Sequence, residues 1–141
     1  MKSFEAASVI AASPDSIWAI LIDGAHYPDW DSGVLSVEGR IAPGEIIKVV
    51  SAANADRTFP VKVSEFTAGR SMTWSGGMPL GLFKGVRTFT LTSAGDGTTR
   101  FLVREEYSGP LLSMMWRSMP DLGPSFAQFA TGLKQRAERT V

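Results

Sequence analysis

Residues 83–107 read FKGVRTFTLTSAGDGTTRFLVREEY, and this stretch determines most of what the sequence predicts about the fold. Two segments rich in β-branched and aromatic residues, 83–92 and 99–107, flank the turn Gly95-Asp96-Gly97. Such segments are typical of strands, and a three-residue loop with Gly97 in a left-handed conformation joins two antiparallel strands. The stretch therefore predicts a β-hairpin.

The register of this hairpin decides which side chains share a face. The resulting pairs are Leu91 with Phe101, Phe89 with Val103, Arg87 with Glu105, and Gly85 with Tyr107. The face that carries these residues is expected to be buried, because the opposite face carries threonines and arginines. A two-residue loop would shift the register and put Glu106 opposite Arg87 instead.

Arg87 and Glu105 form a charged pair inside this otherwise apolar face. A buried charge needs a partner, and each of these residues supplies one to the other. Arg87 is suited to orient a carboxylate or carbonyl oxygen and to stabilise a developing enolate, while Glu105 or Tyr107 is suited to transfer a proton. These three residues are the catalytic candidates. The alternative is that Arg87 and Glu105 form a partly hydrated ion pair near the end of the sheet, which would contribute little to the stability of the protein.

Five further strands precede the hairpin, so that the sequence predicts seven in all. They are expected at residues 4–11, 34–38, 45–51, 59–66 and 71–75. Short consecutive strands with tight turns between them favour an antiparallel sheet. The apolar, glycine-rich segment 76–81 interrupts the set, and we interpret it as a mobile flap over the mouth of a pocket.

Two short helices near the start and one long helix at the end complete the prediction. Ser13 is typical of an N-cap before Pro14, and residues 26–30 suggest a second short turn or helix. A separate helical turn is expected at 111–116, because Pro120 and Pro124 argue against one continuous helix. The long helix is indicated by an apolar stripe at helical spacing, formed by Phe126, Phe129, Ala130, Leu133 and Ala137. The sequence therefore predicts an α+β fold, in which one long helix lies across a curved seven-stranded antiparallel sheet. A single helix does not fill the space over such a sheet, so we expect a cavity between them.

Composition narrows the classes of function. The 141 residues suit a single domain, 1–141, and the 14 basic residues balance the 14 acidic ones. A net charge of zero argues against nucleic-acid binding. Without cysteine, and with His26 as the only histidine, no metal site or cofactor is predicted, and His26 is interpreted as a surface residue or cap. The sequence shows neither a secretory signal nor an integral membrane segment, so we expect a cytoplasmic protein.

Several segments resemble the polyketide cyclase/dehydrase-like family, within the wider group of START and birch-pollen-allergen-like helix-grip proteins. The resemblance is carried, in order, by residues 12–18, Asp23, and residues 27–30, 97–101 and 132–138. It covers nearly the whole chain and implies a helix-grip fold that encloses a cavity. The group includes cyclases, aromatases, lipid carriers and receptors, and it brings no invariant catalytic motif.

The predicted partner is a small hydrophobic molecule, lipid-like or polyketide-like, held between the sheet and the long helix. The expected ligand-binding residues are Trp74, Arg87, Phe89, Phe101, Val103, Glu105, Tyr107, Met115, Phe126 and Phe129. Each apolar member has an alternative role in the ordinary core. One alternative function is a cyclase, aromatase or dehydratase. Another is a protein-interaction module, which would have a filled core and an exposed apolar patch.

Overall fold

A computed structural model describes residues 2–119 and 121–139. It contains one antiparallel sheet of seven strands in the spatial order β1-β7-β6-β5-β4-β3-β2. The strands are β1 (Lys2–Ile10), β2 (Val34–Glu38), β3 (Ile46–Ser51), β4 (Phe59–Thr67), β5 (Ser71–Gly77), β6 (Lys84–Ser93) and β7 (Thr99–Ser108). All seven predicted strands are therefore present, and the α+β class is confirmed.

The hairpin of β6 and β7 has the predicted register. The backbone N–H of Ala94 donates to the carbonyl oxygen of Thr98 at 3.0 Å, which closes a three-residue loop. Gly97 adopts a φ of 87°, in the left-handed region that favours glycine. Arg87 lies opposite Glu105, so the alternative pairing with Glu106 is wrong.

The segment predicted as a flap begins later than the sequence suggests. Gly77 pairs with Lys84, so the first two glycines of the segment belong to β5 rather than to a loop. The connection itself spans residues 78–83 and contains a short 3₁₀ turn, Pro79–Gly81. At its tip Leu80 has a φ of 62° and is 96% exposed.

The helices follow the predicted pattern. Helix α1 (Pro14–Leu21) begins after Ser13, whose Oγ accepts a hydrogen bond from the backbone N–H of Ser16 at 3.2 Å. A 3₁₀ helix, Gly24–Asp29, forms the second short element. Helix α2 (Leu112–Ser118) and helix α3 (Gly123–Arg139) are separate, and Pro120 lies outside the described residues.

Helix α3 covers the inner face of the sheet with the predicted apolar stripe. Its buried residues are Phe126, Phe129, Ala130, Gly132, Leu133 and Ala137. Two side-chain contacts fix the helix to β1: the Ser8 hydroxyl donates to the Ala130 carbonyl at 3.1 Å, and Lys134 Nζ donates to the Val9 carbonyl at 2.7 Å. Within the described residues, no helix has both the length and the apolar character needed to cross a membrane.

Two irregularities bend the sheet away from a flat surface. The pairing of β2 shifts between Val34 and Ser36, and that of β4 shifts between Ser64 and Thr67. In the second, Glu65 has a φ of 47°. Such bulges bend the bulged strand and increase the local twist of the sheet.

Candidate ligand-binding cavity

A cavity of about 380 Å³ lies between the inner face of the sheet and α3. This volume corresponds to about a dozen water molecules in the liquid, and it falls within the range of small-molecule pockets. Most of its wall is apolar. The large apolar side chains that border it are Val34, Val49, Phe59, Val61, Trp74, Met78, Phe83, Val103, Met115, Met119, Leu122, Phe126 and Phe129.

Eight of the ten residues predicted to bind a ligand border this cavity. They are Trp74, Arg87, Val103, Glu105, Tyr107, Met115, Phe126 and Phe129. Phe89 and Phe101 do not border it, contrary to expectation, and lie in the core, 0% and 1% exposed. Their ring centroids are 5.8 and 6.0 Å from that of Phe129, so α3 packs directly on them near the turn end of the hairpin. Strand alternation predicts which face a side chain occupies, but it does not predict where along the strand the helix makes contact.

Other parts of the wall come from loops that sequence reasoning did not assign to the site. The connection between β3 and β4 contributes Ala53, Asn54, Arg57 and Thr58, and the segment before β2 contributes Ser32 and Gly33. These segments have no periodic pattern. Only the folding of the sheet over α3 brings them to the cavity, so no signal in the sequence identifies them.

The connection at 78–83 forms another part of the rim. Its residues Met78 and Phe83 border the cavity. The connection contacts the rest of the protein through a backbone hydrogen bond, in which the N–H of Leu111 donates to the carbonyl oxygen of Leu82 at 3.0 Å, and through Phe83, whose ring stacks on Tyr107 at 6.0 Å between centroids. It therefore joins the start of α2 to the rim, while Leu80 at its tip makes the exposed turn described above.

Four polar or amphipathic side chains come together on the inner face, and we call Trp74, Arg87, Glu105 and Tyr107 the polar cluster. Trp74 on β5 is the direct partner of Arg87 on β6, and Arg87 is the direct partner of Glu105 on β7. Tyr107 lies two residues beyond Glu105, so alternation returns it to the same face. The cluster therefore spans three adjacent strands at one wall of the cavity.

The Arg87–Glu105 pair is held by a single hydrogen bond. Arg87 Nε donates to Glu105 Oε1 at 2.6 Å, and the two side chains are 27% and 15% exposed. Burial opposes the charge on Arg87, but the carboxylate of Glu105 and the neighbouring Tyr107 outweigh it and raise the pKa of Arg87 above its usual value. Arg87 is therefore charged.

Arg87 keeps hydrogen-bond donors that the pair does not use. Among the residues that the structure describes, its Nη1 and Nη2 groups have no hydrogen-bond acceptor. The guanidinium lies over Phe126 on α3, with its central carbon 4.7 Å from the ring centroid. A structural, bidentate pair would have occupied these donors. The open Nη groups instead favour recognition of something in the cavity.

Trp74 and Tyr107 add two further donors to the cluster, and each residue is 3% exposed. The indole Nε1 of Trp74 has no hydrogen-bond partner among the described residues. The hydroxyl of Tyr107 makes no hydrogen bond of regular geometry to those residues, but it lies close enough to Glu105 and Arg87 to interact with both. Burial, followed by the negative charge of Glu105, raises the pKa of Tyr107 far above its usual value, so the phenol stays neutral and can donate. Unpaired buried donors are uncommon, because each costs about 1–3 kcal/mol.

Gly85 makes room for the carboxylate of Glu105. A Cβ atom at Gly85 would lie only 2.5 Å from Glu105 Oε2 and 3.4 Å from the ring of Tyr107. Any larger residue at this position would displace the carboxylate from its place beside Arg87. The sequence indicated this role through the pairing of Gly85 with Tyr107, although it did not reveal the contact with Glu105.

The arrangement can bind an oxygen-bearing apolar molecule. The apolar wall removes hydrocarbon from water, while Arg87, Tyr107 and Trp74 offer donors at one place. Trp18, by contrast, lies outside the cavity and packs edge-to-face on Phe66 of β4 at 5.2 Å between centroids. Trp30 packs on Phe129 in the same manner at 5.2 Å. Trp18 therefore packs α1 on the sheet, and Trp30 packs the segment before β2 on α3.

Solved structures share this architecture at low sequence identity. An aromatase/cyclase from Streptomyces superimposes with a TM-score of 0.75 at 13% identity, covering 98% of this chain and 94% of that one. A START superfamily protein from Mycobacterium smegmatis gives 0.72 at 16% identity, covering 99% of each chain. A norcoclaurine synthase point mutant from Thalictrum gives 0.70 at 18% identity, covering 99% and 95%. These likenesses establish a START-like helix-grip fold.

The sequence itself matches a protein family over residues 1–138. No curated protein is similar enough in sequence to count as a relative. The family match spans nearly the whole chain, and it agrees with the sheet, the terminal helix and the enclosed cavity. The chain belongs to the family described as "Polyketide cyclase / dehydrase and lipid transport".

Proposed function

We propose that this protein binds a small hydrophobic molecule, lipid-like or polyketide-like, in the cavity between the sheet and α3. The observation that carries the proposal is a cavity of about 380 Å³ whose wall is mostly apolar and whose polar cluster holds unused donors. A ligand that buries hydrocarbon and supplies acceptors removes the cost of leaving those donors unpaired. The cytoplasmic location predicted from the sequence remains part of this proposal.

The cavity also bears on the alternative of a protein-interaction module. That alternative expects a filled core beneath an exposed apolar patch. Here the space lies between the sheet and α3, and aromatic side chains from both face it. The volume therefore supports ligand binding over docking of a partner protein.

A catalytic role is the second candidate, and the polar cluster favours it. Arg87 and Tyr107 present donors where a carbonyl oxygen would lie, which is the arrangement that stabilises a developing enolate. Among the described residues Glu105 is the carboxylate that borders the cavity beside them, and it is suited to accept a proton. A cyclase, aromatase or dehydratase reaction would use these same residues, after the binding step that we propose first.

The test is native mass spectrometry of the protein purified from its own host, with extraction and identification of any bound compound. Val103→Phe places a larger side chain in the cavity wall. Val9→Phe, at a site that is 51% exposed on β1, is the matched control. We expect a stoichiometric hydrophobic compound in the wild type and in the Val9 variant, and its loss in the Val103 variant.

Two results would count against ligand binding. One is wild-type protein that is consistently empty and that binds no hydrophobic probe by fluorescence of its tryptophans. The other is a bound compound that Val103→Phe retains in full, since that compound would lie outside the cavity. Turnover of the extracted compound on incubation would instead favour the catalytic candidate.

A further inference from the structure

We propose that Glu105 determines the specificity of the cavity by excluding anions, so that the polar cluster accepts an uncharged oxygen such as a ketone, ester or hydroxyl. This inference rests on the proposed function and narrows its ligand class. Arg87 on its own would attract carboxylates. Glu105, which lies opposite Arg87, repels carboxylates and so removes that preference.

The charges that border the cavity are few. Among the described residues they are Arg57, Arg87 and Glu105. Arg57 is exposed on the connection between β3 and β4, and its guanidinium carbon lies 5.4 Å from the ring centroid of Phe59. Solvent screens a charge in that position. The interior therefore contains one cation and one anion, whose charges sum to zero.

A carboxylate ligand would disturb this balance. To reach the Nη groups of Arg87, it must give up water and approach the carboxylate of Glu105, which is hydrogen-bonded to the same guanidinium at 2.6 Å. Two carboxylates at one site repel each other, and burial removes part of the water that would screen that repulsion. Neither the facing Trp74 on β5 nor Phe126 on α3 carries a charge that could compensate the second anion.

An uncharged oxygen meets no such penalty. The guanidinium, the phenol and the indole are donors, so a carbonyl, ester or hydroxyl oxygen can accept from them without adding charge. The vacant donors then gain partners, while the Arg87–Glu105 pair stays intact. The hydrogen bond to Arg87 holds the carboxylate of Glu105 beside the guanidinium, in the space that Gly85 leaves free.

The experiment compares decanoate with methyl decanoate, which have the same acyl chain and differ in charge. Binding is measured through tryptophan fluorescence and calorimetry at about pH 8, where the acid is ionised. We expect the wild type to bind the ester at least about tenfold more tightly, which corresponds to about 1.4 kcal/mol. In Glu105→Gln the cation loses its counter-charge. Decanoate should then bind at least about tenfold more tightly than to the wild type, so that the preference for the ester over the acid is lost.

A second measurement needs no variant. If only the neutral acid enters, the apparent affinity of the wild type for decanoic acid should rise about tenfold for each pH unit lowered between about pH 7 and pH 5. The ester should show no such dependence, and it controls for titration of the protein. Arg57→Gln controls for binding at the rim and should leave the preference unchanged.

Several results would overturn the inference while leaving the proposed function standing. One is tighter binding of decanoate than of the ester by the wild type. Another is an affinity for decanoic acid that does not change with pH. A third is a preference for the ester that is lost in Arg57→Gln and kept in Glu105→Gln. A bound natural ligand without any oxygen acceptor would do the same. If neither probe binds and no compound co-purifies, the proposed function itself is wrong.

Discussion

His26 shows at the scale of one residue how a neighbouring charge sets a protonation state. Its Nδ1 lies 2.8 Å from Asp23 Oδ2 on the protein surface. The hydrogen bond and the charge of Asp23 raise the pKa of His26 above its usual value of about 6.5. The protonated form is therefore favoured in the folded state. The stability that it contributes is present below the unfolded pKa and is lost as the pH rises through the folded pKa.

We predict that NMR titration of the single histidine gives a pKa above 6.5 in the folded wild type and a lower value in Asp23→Asn. The resonance needs no assignment, because the chain contains one histidine. Asp15→Asn is the control, since Asp15 does not contribute to the shift. Equal values in the wild type and in Asp23→Asn would show that the pair does not persist in solution.

At the scale of an element, the position of α3 depends on a residue without a side chain. Gly132 lies in the buried stripe of the helix, where a Cβ atom would overlap the carbonyl oxygen of Asp31. The segment before β2 therefore packs directly on the helix backbone. Gln128 strengthens this contact, because its Nε2 donates to Asp31 Oδ1 at 2.7 Å. The contact holds one side of the cavity, where Ser32 and Gly33 line the wall.

We predict that Gly132→Ala lowers the free energy of unfolding by about 2 kcal/mol, measured by denaturant titration. Alanine favours a helix over glycine by about 1 kcal/mol, but the overlap with Asp31 costs about 3 kcal/mol when backbone must move. Gly123→Ala is the matched control, because a Cβ there approaches only the exposed side chain of Asp121. Equal stability of the two variants would show that α3 shifts freely against the segment before β2.

At the scale of the whole molecule, the cavity links ligand binding to stability. A ligand that binds only the folded state, present at 100 times its Kd, stabilises the protein by about 2.7 kcal/mol. For a chain of 141 residues, each kcal/mol raises the melting temperature by roughly 3 °C. The cavity is built from residues of several strands and of α3, so unfolding abolishes the site.

We therefore predict that methyl decanoate at this saturation raises the melting temperature by about 8 °C in the wild type, as followed by circular dichroism. Val103→Phe should abolish the shift, while Val9→Phe should keep it. A bound ester that leaves the melting temperature of the wild type unchanged would mean that it binds the unfolded chain equally well, and an equal shift in Val103→Phe would mean that it binds the folded protein outside the cavity.

The sequence determined which segments of this protein form strands and helices and which side of each is buried. Alternation along 83–107 placed Arg87 opposite Glu105, and the apolar stripe of α3 identified the face that covers the sheet. These predictions held because strand and helix periods are local properties of the chain. The turn Gly95-Asp96-Gly97 predicted a three-residue loop, and this loop length gave the correct register of β6 and β7.

Tertiary structure alone decided where the cavity lies and which donors remain open in it. Phe89 and Arg87 share a face of β6, yet Phe89 is packed under Phe129 while Arg87 borders the cavity. That difference depends on sheet curvature and on where α3 rests, which are long-range packing outcomes with no local period in the sequence. The open donors of Arg87 follow from the same cause, because the distance from each strand to the helix decides whether a side chain meets protein or space.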